Sequence, residues 1–139
     1  MTTPKTQVTA ETFEQFLARA VDPSRHEDCR TIVTLMQAAT GEAPVMWGAI
    51  IGFGRHKLRY SDGRESEWPV AAFAARKTDW TIYVLPELGE HEALLGNLGK
   101  HRRSKACLHI KRLSDVDIKV LQTLIEASVK AMASKRILP

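Results

Sequence analysis

The chain is poor in cysteine, with only Cys29 and Cys107, far apart and outside any CxxC spacing. That absence removes zinc knuckles and a disulfide framework, and it leaves two buried free thiols in a reducing cytoplasm as the expectation. No apolar run reaches the roughly 18 residues that a membrane span needs, and Met1 to Val8 offer no apolar core for a signal peptide. No P-loop, G-x-S-x-G elbow or HExxH motif is present, and His26, His56, His91, His101 and His109 are scattered singly. Phosphate-loop, conventional hydrolase and zincin chemistry are therefore disfavoured, and no metal site is expected. Gly52-Phe53-Gly54 begins a dinucleotide fingerprint but has Lys57 at the third glycine position and enters a strand instead of leaving one. These glycines are expected to admit close packing beside Trp47 and Phe53.

What is present is enough for one domain. A chain of 139 residues can bury about 68–70% of its unfolded surface. Residues 1–8 read as a disordered tail and 9–136 as a single α+β domain, without repeat, linker or low-complexity stretch. Phe13, Phe16, Leu17 and Ala20 follow helical spacing behind Thr9 as the cap, and Asp22-Pro23 restarts a second helix with Cys29, Ile32, Val33 and Met36 inward and Gly41 past its end. Alternation over Gly54–Tyr60 predicts a strand, followed by a turn at Ser61-Asp62-Gly63. Val70–Ala75 and Trp80–Leu85 read as two more strands, the latter central because it is apolar on nearly both faces. A short helix over Glu90–Leu98, a strand over Lys105–Ile110 and a long helix opened by Ser114 and Asp117 complete the order, with Val120, Leu121, Leu124, Ile125 and Met132 packing and Lys130, Lys135 and Arg136 near its end. Connections too short for parallel crossovers imply an antiparallel sheet of about four to five strands packed with N-terminal and C-terminal helices.

Charge is the strongest functional signal. The thirteen residues Lys100 to Arg112 carry +6 and no acid, against +4 for the whole chain, so the other 126 sum to −2. Arg55, Lys57 and Arg59 share one strand face, and Arg76-Lys77 end the next strand. Such clusters can be a solvated face, a site for a small anion, or a nucleic-acid surface. The run contains no aromatic residue for base stacking, so nucleic-acid binding is expected to be weak and non-specific at most.

Pro44-Val45-Met46-Trp47-Gly48, Ile51-Gly52-Phe53-Gly54, Phe73-Ala74-Ala75-Arg76-Lys77, Leu98-Gly99-Lys100-His101 and Ala106 to Asp117 resemble the YdhG-like bacterial domain-of-unknown-function family. The resemblance runs from about Ser24 to Met132 and implies a compact α+β domain without an established catalytic mechanism. For one relative it implies a frataxin-like iron carrier, whose acidic surface would have Glu11, Glu14, Glu27 and Asp28 as its nearest candidates here.

The leading expectation is a non-enzymatic cytoplasmic domain that binds an anionic small molecule or anionic partner, with no membrane association. Trp47 and Tyr83 would form apolar walls, and Arg76, Lys77 and Lys100 would hold the anionic group. A metal carrier is the alternative, and an enzyme using Tyr60, Tyr83, His109 and Lys100 for acid-base work is a third. No cofactor and no oligomeric state follow from the sequence.

Overall fold

The computed structural model describes residues 9–59, 63, 65–83, 92–104 and 107–132. Ser61 and Asp62 of the expected turn, Tyr60, Val84, Leu85, Glu90, His91, Lys105, Ala106, Lys135, Arg136 and the tail at 1–8 lie outside them. Helices α1 (Phe13–Ala20) and α2 (His26–Thr40) come first, and strands β1 (Val45–Trp47), β2 (Ile50–Phe53), β3 (His56–Arg59), β4 (Glu65–Trp68), β5 (Ala71–Ala75) and β6 (Trp80–Tyr83) follow. Helix α3 (Glu92–Leu95), strands β7 (Arg102–Ser104) and β8 (Cys107–Ile110), and helix α4 (Ile118–Met132) close the order.

The expected α+β class with an antiparallel sheet is what forms. Its main sheet has six strands in the order β1-β2-β5-β6-β8-β7, all neighbours antiparallel. Strand β6 is central as expected, with Trp80, Thr81 and Ile82 all buried. The alternating segment after Gly54 does not join this sheet. It becomes β3, paired among the described residues only with β4, in a two-stranded ribbon that falls between β2 and β5 in sequence. Strands β1, β2, β4 and β7 are additional to the sequence reading. Glycine interrupts the first two, with Gly48 at φ +68, and β7 is exposed throughout, so neither offers the alternation that marks a half-buried strand.

Register assigns the two faces. Met46, Ile51, Phe73, Ile82 and Leu108 are successive cross-strand partners, all buried in one core with Phe16 and Leu17 of α1, Ile32 and Met36 of α2, and Leu121 and Leu124 of α4. The opposite face carries Trp47, Gly52, Ala72, Ala74, Thr81, Tyr83, Cys107 and His109, by the period of two along each strand. Trp47 packs against Gly52. A Cβ at Gly52 would sit 2.6 Å from the Trp47 indole and 2.8 Å from Pro69 Cβ, so close packing beside Trp47 does require glycine.

Two helix starts differ from the sequence reading. Thr9 donates its N–H to the Met46 carbonyl at 2.9 Å and so docks the chain on β1, while the cap of α1 is Thr12, in a reciprocal box with Gln15. Ser114 lies in a 3-10 turn over Leu113–Asp115, and Asp117 alone caps α4 by accepting the Lys119 N–H at 2.9 Å. Asp22 holds the expected turn by accepting the Ser24 N–H at 2.9 Å, and the helix after it ends at Gly41 with φ +73. Among the described residues the short helix spans Glu92–Leu95 and ends before Leu98, which is buried in the turn beyond it.

Candidate functional site

Three segments far apart in sequence meet at one end of the sheet. The β5–β6 hairpin turns over residues 76–79, closed by the Arg76 N–H donating to the Asp79 carbonyl at 2.9 Å. Arg25, in the turn before α2, clamps that hairpin from the side. Its guanidinium donates to the Arg76 carbonyl at 2.7 Å and the Asp79 carbonyl at 3.1 Å, and it lies 4.2 Å above the ring of the buried Trp80. The chain leaving β8 arrives alongside because Trp80 and Ile110 are register partners. Asp28, in the first turn of α2, fixes that third segment by accepting the Leu113 N–H at 3.1 Å.

Between these segments opens a cleft of about 440 Å³ lined by Ser24, Arg25, Asp28, Lys77, Thr78, Lys111, Arg112 and Ser114. It holds four cations, one carboxylate and three hydroxyls. Five arginines outside the cleft are each paired with a carboxylate. Arg19 pairs with Glu11 at 2.8 Å, Arg30 with Glu14 at 2.9 Å, Arg55 with Glu67 at 3.3 Å, Arg102 with Asp79 at 3.0 Å and Arg103 with Glu92 at 2.8 Å. Lys77, Lys111 and Arg112 are exposed and have no carboxylate partner among the described residues. Clustered unpaired cations with nearby hydroxyl donors form a concavity suited to an oxyanion.

The five residues expected to share a site are divided. Lys77 lines the cleft, and Arg76 is its neighbour in the hairpin. Lys100 does not line it, and its N–H donates to the carbonyl of Asp115, the residue after Ser114, at 3.1 Å. Trp47 and Tyr83 do not line it. Tyr83 is three residues along β6 from Trp80, about 10 Å at strand rise, and Trp47 is buried on β1, three strands away from β6. Ser24, Arg25, Thr78 and Ser114 carry no site signal in the sequence, and Asp28 stands there only as a metal-binding candidate, because only the fold brings them together. Lys111 and Arg112 belong to the basic run, whose Arg102 and Arg103 are already ion-paired.

A second polar arrangement lies on the sheet face opposite the helices. His109 Nδ1 is 3.2 Å from Thr81 Oγ1, and its Nε2 is 3.0 Å from Ser104 Oγ. A threonine hydroxyl can orient the ring but cannot compensate an imidazolium as a carboxylate does, so this chain chiefly satisfies polar groups around the buried Thr81. Beside it, burial pushes the Cys107 thiol up, opposed by a hydrogen bond from Ser104 and by the Arg76 charge. Cys29 is fully buried, and desolvation pushes it up to about 11. Neither thiol has the lowered pKa of a nucleophile.

The acids considered for metal binding are dispersed. Arg19 and Arg30, each donating hydrogen bonds to its partner, hold the Glu11 and Glu14 carboxyls below the usual range, and Asp28 serves Leu113. Among the described residues no three His, Cys, Asp or Glu side chains gather as metal ligands. No helix there is long and apolar enough to cross a membrane. Comparison with protein families, with curated proteins and with solved structures finds no match.

Proposed function

We propose that this protein is a small-anion binding domain and that the cleft between the β5–β6 hairpin, the 111–114 segment and the turn before α2 is its site. One observation carries this reading: Lys77, Lys111 and Arg112 surround a single concavity without an acid partner among the described residues, while Arg19, Arg30, Arg55, Arg102 and Arg103 outside it are each paired with a carboxylate. Arg25 shapes the site by holding the hairpin, with its cationic head already committed to two carbonyls and the Trp80 ring. The two lysines and Arg112 supply charge, and Thr78 and Ser114 supply directional donors, the Ser24 hydroxyl being held by Asp22 at 2.7 Å.

An elongated polyanion such as duplex nucleic acid fits this arrangement less well than a small anion. Arg102 and Arg103 are engaged with Asp79 and Glu92, and no aromatic side chain lines the cleft for a base to stack on. The test is thermal unfolding with phosphate, pyrophosphate and citrate in low-salt buffer. At ten times Kd an anion stabilises the fold by about 1.4 kcal/mol, or roughly 4–6 °C for a chain of this size. Lys77→Ala with Lys111→Ala abolishes that shift while leaving the anion-free Tm within about 2 °C, since both side chains are exposed. The absence of any shift with all three anions overturns the proposal.

A further inference from the structure

The cleft contains one group that a simple anion trap would exclude. Asp28 lines it, half-buried, among four cations. Its Oδ2 accepts the Leu113 N–H, and its Oδ1 has no hydrogen-bond partner among the described residues. A carboxylate so placed repels a fully ionised oxyanion and attracts one that presents an O–H, because an ionised carboxylate can only accept hydrogen bonds. The cations and hydroxyls recognise the oxyanion, and Asp28 recognises its proton.

Resting on the anion-binding reading, we infer that the cleft selects hydrogen phosphate, or a phosphate ester with a hydroxyl beside the phosphate, over sulfate, with Asp28 as the selecting residue. Sulfate has nearly the size and shape of phosphate but carries no proton at neutral pH. In the cleft it would leave Asp28 facing a bare oxyanion. Hydrogen phosphate would donate its remaining O–H to Oδ1 while its other oxygens accept from Lys77, Thr78, Lys111 and Arg112.

Calorimetric titration of the full chain at pH 8 with inorganic phosphate, sulfate, methyl phosphate and glycerol 3-phosphate tests this. Phosphate is expected to bind at least about ten-fold more tightly than sulfate, the scale of one hydrogen bond to a charged acceptor. In Asp28→Asn the amide oxygen can still accept from Leu113, so the fold is kept, and sulfate is expected to rise to within about three-fold of phosphate. Circular dichroism with an unchanged unfolding midpoint verifies that the variant is folded. Doubly ionised methyl phosphate, with no O–H at pH 8, is expected to bind as sulfate does. Glycerol 3-phosphate matching inorganic phosphate would identify a hydroxylated ester as the ligand class, whereas its binding like methyl phosphate would identify free hydrogen phosphate. Equal affinity for sulfate and phosphate in the native protein overturns the inference, as does selectivity that persists in Asp28→Asn. If both anions bind equally and Lys77→Ala with Lys111→Ala abolishes both, only the selectivity fails and the anion-binding reading stands. If none of the four anions binds, both fall.

Discussion

Replacing Arg25 with alanine should loosen the fold and empty the cleft together. The native guanidinium makes two hydrogen bonds to main-chain carbonyls, at 2.7 Å to Arg76 and 3.1 Å to Asp79, and stacks 4.2 Å over Trp80. The bond to Arg76 is exposed, so water replaces it and each hydrogen bond contributes only about 0.5–1.5 kcal/mol. The cation–π contact adds ~0.5–2 kcal/mol because Trp80 is desolvated beneath it. Arg25→Ala is therefore expected to lose about 2–4 kcal/mol in urea unfolding followed by tryptophan fluorescence, together with a weakening of anion binding as the hairpin bearing Lys77 loses its clamp. Arg25→Lys keeps a charge over the ring, but a single ammonium does not reproduce the planar fork that spans both carbonyls, so it should lose about half as much. A loss below about 0.5 kcal/mol in Arg25→Ala, the floor for a single hydrogen bond, would refute the clamp and with it the account of how the cleft is shaped.

Gly52→Ala should destabilise by roughly 1–3 kcal/mol, since its Cβ would overlap the Trp47 indole and Pro69, whereas Gly96→Ala, whose Cβ meets nothing closer than 3.6 Å, should be near neutral; equal Tm values for the two would contradict the packing. Cys29 is protonated more firmly in the folded chain than in the unfolded one. Its contribution to stability is therefore fully present below pH 9.0, falls as pH rises from 9.0 towards about 11, and levels off beyond. The stability difference between the native protein and Cys29→Ala should shrink over that window in denaturant titrations, and a difference that stays flat would contradict it. A disulfide-exchange reagent at pH 8 should modify the half-buried Cys107 well before Cys29.

Helix stripes and the central strand were readable because burial imposes a period on the sequence: Cys29, Ile32, Val33 and Met36 in α2, and Trp80 to Ile82 in β6, are buried as their spacing implies. Local capping was harder. Thr9 and Thr12 are both cap residues by type; Gln15 three residues after Thr12 completes its capping box, and the tertiary hydrogen bond from Thr9 to Met46 draws Thr9 away. Strand β7 could not be seen because its three residues are exposed, so no apolar alternation marks it. Of the site, the sequence offered Lys77 and the basic run. It could not offer Arg25, and it offered Asp28 only as a metal-binding candidate, because their roles arise from carbonyls and an amide far along the chain, groups that leave no compositional trace.

Because Arg25 reaches 51 residues to Arg76 and Asp28 reaches 85 residues to Leu113, the cleft has no local precursor. Contacts of such separation form only after the intervening loops have closed, so no fragment lacking either the Arg25–Asp28 turn or the 111–114 segment holds the walls in place. Occupancy of the cleft would thus read out completed folding: an anion bound there stabilises only the fully assembled chain, and a lesion anywhere in the core that raises the unfolded fraction would lower apparent affinity without touching a single residue of the site.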